Sequence, residues 1–493
     1  MCAGSRGGRS FQMKAVRLQC RRVALPRAAM LPLLAAGVAA MSPDLVRAQE
    51  PAQQPQPEPP APTPPPAEPP AAEPPPAAQP QAAATPFLRG HLTTRYWVRW
   101  TGNQNDSDLY ETLSLDIGDP DKHDVTGHFY GRLAADLDAD TNGTPPFFSL
   151  QDVRSDSVDA YVYDAFADVH SIAELELLRI GRQTIAETPE IAFFDGVHAR
   201  TSQRSDAGLQ FGAYGGVSVH LYESSRTGDV TAGLYGEGRP WQGGRIRLEW
   251  MHLEDEALLG PHSDDLFSGG IWQTCGQVQL EAQYSRIESR DRDVRARAAF
   301  AQPESRLQGQ VTYYQLLTTQ RSQVLELDPF FNALQELFPY WQLGAMVGKG
   351  LTDQIDVDAG ADLRRVSDNA DIGTFNRDYE RWYFTVNLRE VWLEGLTLTA
   401  TADYWNSDEQ DVHTWAGELS QRCSQSLTFS AGSYYSMYKF SLFSNAERDH
   451  VRTYYTRLRC SASRATELDF AYEFEQTDLD DFQVLRMGFT WRF

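Results

Sequence analysis

The chain has 493 residues and a formal net charge of -23, from 67 Asp and Glu against 44 Lys and Arg. Mean hydropathy is -0.46, and no stretch reaches the roughly 20 apolar residues a membrane-spanning helix needs, so a helical membrane bundle is excluded. The acidic balance also argues against nucleic acid as a partner, because phosphate binding needs a basic surface.

The first element is a targeting segment. Basic residues from Lys14 to Arg27 precede an apolar run at 28–41, which is followed by Val46-Arg47-Ala48. That order is the three-part pattern of a secretory signal, with cleavage expected after Ala48. Residues 1–48 hold eight basic side chains against one acidic one, Asp44, which leaves the remainder near -30 from the formal -23 of the whole. Of five cysteines, Cys2 and Cys20 fall in this segment. Cys275, Cys423 and Cys460 have no metal-binding spacing and read as free thiols, with one bridge between Cys423 and Cys460 left open.

Residues 49–86 are almost entirely Pro, Ala, Gln and Glu. Such a tract cannot bury a core, and it predicts a disordered, extended periplasmic spacer. It serves either as a plain tether or as an arm touching the cell wall or a partner protein.

From Phe87 to Phe493 short segments alternate in polarity, the period of strands with one apolar face. Val125, Phe129, Leu133 and Ala135 oppose Thr126, His128, Tyr130 and Arg132. Ile355, Val357, Ala359, Ala361 and Leu363 oppose Asp356, Asp358, Asp362 and Arg364. Leu396, Leu398, Ala400, Ala402 and Tyr404 oppose Thr397, Thr399, Thr401 and Asp403. A polar face that repeats along the chain with charges of both signs fits a water-filled lumen. Short turns, such as Asp119-Pro120-Asp121-Lys122, Thr352-Asp353-Gln354 and Ser461-Ala462-Ser463, take turns with longer polar loops at 140–155, 318–340 and 367–377. That asymmetry belongs to outer-membrane barrels.

In the loop at 318–340, Asp328 before Pro329 predicts a helix start. Phe330, Leu334 and Phe338 then recur on one helical face, and Pro339 marks the stop. This helix is a candidate constriction for the mouth. In the last segment Leu485, Met487, Phe489, Trp491 and Phe493 occupy every second position. Phe489, Trp491 and Phe493 thereby resemble the assembly signal of outer-membrane barrels. The reading is an all-β chain: a single transmembrane antiparallel up-and-down barrel of about 18–22 strands over 87–493, in the bacterial outer membrane.

The sequence Leu178-Arg179-Ile180-Gly181-Arg182-Gln183, followed by Phe193-Phe194-Asp195-Gly196-Val197, resembles the alginate-export type of outer-membrane channel. The resemblance implies passive passage of a solute or polysaccharide. Where that family's lumen is strongly electropositive, here the basic candidates Arg95, Arg99, Arg132, Arg182, Arg457, Arg459 and Arg486 alternate with Asp356, Asp358, Asp362, Asp469, Glu473 and Glu475. Gly181 and Arg182 fit a structural role as well as a luminal one, Gly for close strand approach and Arg for an ion pair.

No catalytic set, cofactor site or metal cluster stands out. Asp411 and His413 form a D-x-H pair without a second acidic pair, and no Gly-x-Ser-x-Gly elbow is present. An energy-coupled receptor would carry a globular plug, and residues 49–86 cannot fold into one. The expected function is a porin-like channel for small polar solutes or a polysaccharide. The alternatives are a polysaccharide-export pore and a non-conducting scaffold anchored through its Pro-rich arm. Expected partners are outer-membrane lipid, the barrel-assembly machinery and the solute.

Overall fold

The computed structural model describes residues 87–102, 104–137, 158–186, 191–219, 229–257, 260–319, 338–372, 376–407, 410–441, 446–477 and 481–493. The targeting segment, the Pro-rich spacer and the loop residues Asp328, Phe330 and Leu334 lie outside them.

The chain runs up and down through β1 (Leu88–Thr101), β2 (Gln104–Ile117), β3 (Val125–Asp136), β4 (Val158–Ile172), β5 (Leu175–Ile185), β6 (Ala192–Thr201), β7 (Gln210–Ser218) and β8 (Val230–Gly238). It continues through β9 (Gly244–Ala257), β10 (Gly260–Cys275), β11 (Val278–Ile287), β12 (Arg290–Gln302), β13 (Leu307–Leu316), β14 (Tyr340–Gly350) and β15 (Ile355–Val366). The last are β16 (Tyr379–Arg389), β17 (Leu396–Ser407), β18 (Gln410–Arg422), β19 (Leu427–Ser441), β20 (Ala446–Cys460), β21 (Thr466–Gln476) and β22 (Asp481–Arg492). Each strand pairs antiparallel with its sequence neighbours, and β22 pairs with β1, so all 22 form one closed sheet. Closure removes both sheet edges, which is what lets a sheet sit in lipid.

The two faces follow from register, since directly paired residues point the same way. One face carries Leu133, Ile180, Leu248, Val311, Trp382, Phe384 and Trp415, all exposed. The other carries side chains such as Arg99, Asp108, Asp293 and Thr453, which are buried at 0–3% exposure. Polar groups crowded inside and apolar groups exposed outside invert the pattern of a water-soluble sandwich. They match a barrel whose outer surface meets lipid. Alternation is the cause: Val357, Ala359 and Ala361 share the outward face with Val386, Phe384 and Trp382, while Asp358 and Asp362 face inward with Thr385 and Arg381.

The longest connections, at 137–157, 317–339 and 367–378, all leave one end of the barrel. The opposite end has short turns and both ends of the paired region, and by this asymmetry it is the periplasmic end. Phe493 completes the wall there: its N–H donates to the Gly90 carbonyl at 3.0 Å, and Gly90 N–H donates back at 2.9 Å. Phe489 and Trp491 stand outward beside β1.

Candidate functional site: the charged lumen wall

Opposite charges on neighbouring strands organise the inward face into three patches. In the first, Arg99 of β1 turns its guanidinium toward Asp106 and Asp108 of β2, and all three are nearly excluded from solvent. Beside them the Arg132 guanidinium lies 5.3 Å from the Tyr110 ring and 5.0 Å from the Tyr161 ring, a cation–π geometry. Across the closing strands Arg486 sits 5.2 Å from the Trp97 ring and donates to Glu473 at 2.8 Å. Arg457 approaches the same carboxylate at 3.8 Å, and Arg459 meets Glu467 at 3.4 Å. Glu475 accepts from Lys439 and, at 2.6 Å, from Arg448.

The second patch spans β15 to β17. Arg389 pairs with Asp356, Asn387 donates to Asp358 at 3.2 Å, and Arg381 joins Asp403 at 2.7 Å to Asp362 at 3.6 Å. At its periplasmic end a cavity of about 550 Å³ is lined by Arg306, Asp353, Asp356, Asp358, Asn387 and Arg389. The Arg306 guanidinium hydrogen-bonded to Asp353, in the turn after β14, holds that carboxyl below the usual carboxylate range.

The third patch mixes charge with apolar surface. Arg245 meets Glu237 at 2.6 Å, and Arg247 meets Glu249 at 3.1 Å while lying 4.1 Å from the Tyr235 ring. Phe194, Tyr214, Tyr235, Met251 and Leu266 form a buried cluster beside them.

Of the residues singled out in the sequence, Arg95, Arg99, Arg132, Arg457, Arg459 and Arg486 fall on the inward face by register, as do Asp356, Asp358, Asp362, Asp469, Glu473 and Glu475. Arg182 does not. It pairs with Asp195, whose neighbour across β7 is the exposed Val217, so it stands on the outward face and is corrected as a lumen residue. There it grips Asp195 through two hydrogen bonds of 2.8 and 2.7 Å and donates to the Val162 carbonyl at 3.1 Å. The cause is the alternation of β5, which groups Arg182 with the exposed Ile180. The neighbouring Gly181 is held at φ +130°, and a Cβ there would lie 2.2 Å from the Ala165 carbonyl oxygen. Only glycine tolerates this approach. Phe338 lies two residues before β14, and the other residues of its proposed helical face, Phe330 and Leu334, lie outside the described residues.

Asp411 and His413 belong to β18. Asp411 accepts from Tyr404 and Asn406 at 2.9 and 2.7 Å, and the His413 ring lies 4.8 Å from that of Tyr404. Cys275, Cys423 and Cys460 are free thiols. Sequence reasoning passed over Asp106, Asp108, Arg381 and Arg389. Alternation placed them inward, but only register names their partners.

The geometry defines a class: a 22-stranded antiparallel β-barrel of the kind that spans the bacterial outer membrane, with charges of both signs on its inward face. No family model matches the chain, and no curated protein matches it. Among solved structures it is similar to a variant of the ferric enterobactin receptor PfeA of Pseudomonas aeruginosa, at 9% identity and a TM-score of 0.49, over 83% of this chain and 81% of that one. It is also similar to OccK3 (OpdO) of Pseudomonas aeruginosa, at 11% identity and a TM-score of 0.36, covering 82% and 95%. The P pilus usher (PapC) translocation pore is similar at 7% identity and a TM-score of 0.46, covering 82% and 99%.

Proposed function

We propose that this barrel is a passive channel for small polar solutes. The observation that carries the reading is the lumen wall itself, in which paired charges of both signs recur from β1 to β22. Each cross-strand ion pair is worth about 0.2–1 kcal/mol, so paired charges hold the wall while keeping it hydrated. A lumen with opposite charges side by side suits solutes that carry hydroxyls or both signs of charge better than a polyanion. Barrels of 16–18 strands already leave an aqueous channel, and the Pro-rich spacer at 49–86 has no apolar side chain larger than Ala and Pro from which to build a plug. An outer-loop helix at 328–338 supplies the constriction in this reading.

The resemblance to alginate-export channels supports export of a polysaccharide as a second use. Its two motifs, however, send Arg182 and Asp195 to the outward face and Arg179, paired with Asp168 at 2.7 Å, to the inward one, so they divide between lipid-facing wall and lumen. The purified barrel in liposomes is expected to admit small sugars and amino acids in a swelling assay. Absence of both swelling and single-channel conductance would establish the scaffold alternative instead.

A further inference from the structure

On its inward face β14 carries Gln342, Gly344, Met346, Gly348 and Gly350, so its two positions nearest the periplasm have no side chain. The strands on either side do have side chains there. β13 sets Gln308 opposite Gly348, and β15 sets Asp358 opposite Gly348 and Asp356 opposite Gly350. The bare main chain of Gly348 and Gly350 lines the cavity of about 550 Å³ at this end of the wall, a volume in the range of small-molecule sites.

Each glycine gathers a different set of groups. A Cβ on Gly348 would lie 2.3 Å from Asp358 Oδ1 and 3.1 Å from Gln308 Nε2, so a carboxylate and an amide converge over bare backbone. Asp358 is partly exposed and accepts from the Asn387 amide at 3.2 Å; among the described residues it has no cationic partner. Lys349 does not supply one: it pairs with the outward Val357 and donates to the Ser305 carbonyl. At Gly350 a Cβ would lie 2.7 Å from Arg306 Cδ and 3.2 Å from Asp356 Oδ1. Arg306 is bound to Asp353 and Arg389 to Asp356, with the two arginine side chains 48% and 54% exposed. Even a bidentate pair uses only two of the five N–H donors of a guanidinium. One pole is thus a carboxylate without a counter-ion, and the other is balanced in charge with donors to spare. They stand two residues apart along β14, roughly 7 Å.

On the reading of the barrel as a channel for small polar solutes, we propose that this recess binds zwitterions whose ammonium and carboxylate are held apart by a short alkyl chain, the class of the ω-amino acids. The ammonium is the counter-ion that Asp358 lacks, beside the Gln308 and Asn387 amides. The carboxylate takes the spare donors of Arg306 and Arg389, whose planar forks match it. The alkyl chain crosses the main chain between Gly348 and Gly350, where any side chain would block it. An α-amino acid, with its charges on adjacent atoms, reaches one pole at a time. Half-exposed groups make each contact modest, and a site on a conduction path must also release its solute.

The test is calorimetric titration of the whole barrel in detergent micelles with 5-aminopentanoate, whose extended chain spans the two poles. Pentanoate and pentylamine are the single-pole probes, and glycine is the short zwitterion. 5-Aminopentanoate is expected to bind about tenfold more tightly than any of the three, the lower range for hydrogen bonds to charged groups. Asp358→Asn should remove its advantage over pentanoate, and Arg306→Gln with Arg389→Gln its advantage over pentylamine. Gly348→Ala keeps every charge but puts a methyl where Asp358 Oδ1 lies, and should weaken binding as Asp358→Asn does. Heat-modifiable mobility reports folding of each variant. Glycine or pentylamine binding as tightly as 5-aminopentanoate overturns the site, as does an order of affinities that folded variants leave unchanged. Binding is measured without conduction, so the two readings fail separately. A barrel that conducts but shows no preference loses the site alone; one that binds with this preference but neither conducts nor swells liposomes loses the channel alone.

Discussion

Removing the Arg99 guanidinium tests how much of the wall's stability rests on luminal charge. Its side chain is 3% exposed and faces Asp106 at 11% and Asp108 at 0%. Breaking a buried pair from one side leaves uncompensated charge and costs about 3–5 kcal/mol. Because the lumen is wet, the lower end applies. Arg99→Met should therefore destabilise the barrel by about 3 kcal/mol, a factor of roughly 150 in the unfolding equilibrium. Arg459, 72% exposed and 3.4 Å from Glu467, gives the internal contrast: Arg459→Met should cost at most about 1 kcal/mol. Both are measured by reversible urea unfolding in lipid vesicles, followed by tryptophan fluorescence and heat-modifiable mobility. Adding Asp106→Asn and Asp108→Asn to Arg99→Met should recover most of the loss, since the cost arises from the stranded carboxylates. Equal losses for the Arg99 and Arg459 variants, or no recovery in the triple variant, would refute the reasoning.

Three further outcomes are expected. Arg457→Glu with Arg459→Glu should shift reversal potentials in a salt gradient toward cation selectivity; unchanged potentials would remove these side chains from the conduction path. Phe493→Asp, or deletion of Phe493, should lower the amount of heat-modifiable barrel in the outer membrane while the signal is still cleaved, and normal amounts would end its role as an assembly signal. Deleting 328–338 should raise conductance and the size limit for sugars with little loss of folded barrel, whereas wild-type values would make that segment a cover.

Much of the fold was legible because alternation is a local property. Ile355, Val357, Ala359, Ala361 and Leu363 point outward in the structure as their spacing predicts, and the end bearing long loops was evident from turn composition. Partnership is not local. That Arg381 joins Asp362 to Asp403, or that Arg389 finds Asp356, depends on the register of three strands, which no single segment encodes. Arg182 is the opposite case: its charge suggested a lumen, but the alternation of its own strand groups it with Leu178 and Ile180 on the outward face, where it meets Asp195.

The β1–β22 contact carries a kinetic consequence. Every other ladder joins strands adjacent in sequence and can form as a local hairpin, whereas this one brings Gly90 to Phe493. Contacts of such separation are slow to form, since the entropy of closing the loop must be lost before the contact is gained. Until it forms, β1 and β22 are two bare edges on a sheet that already displays its apolar face, the state most prone to join edges with another chain. The rate at which this single contact closes, rather than the stability of any hairpin, should set how long the unfinished barrel must be shielded.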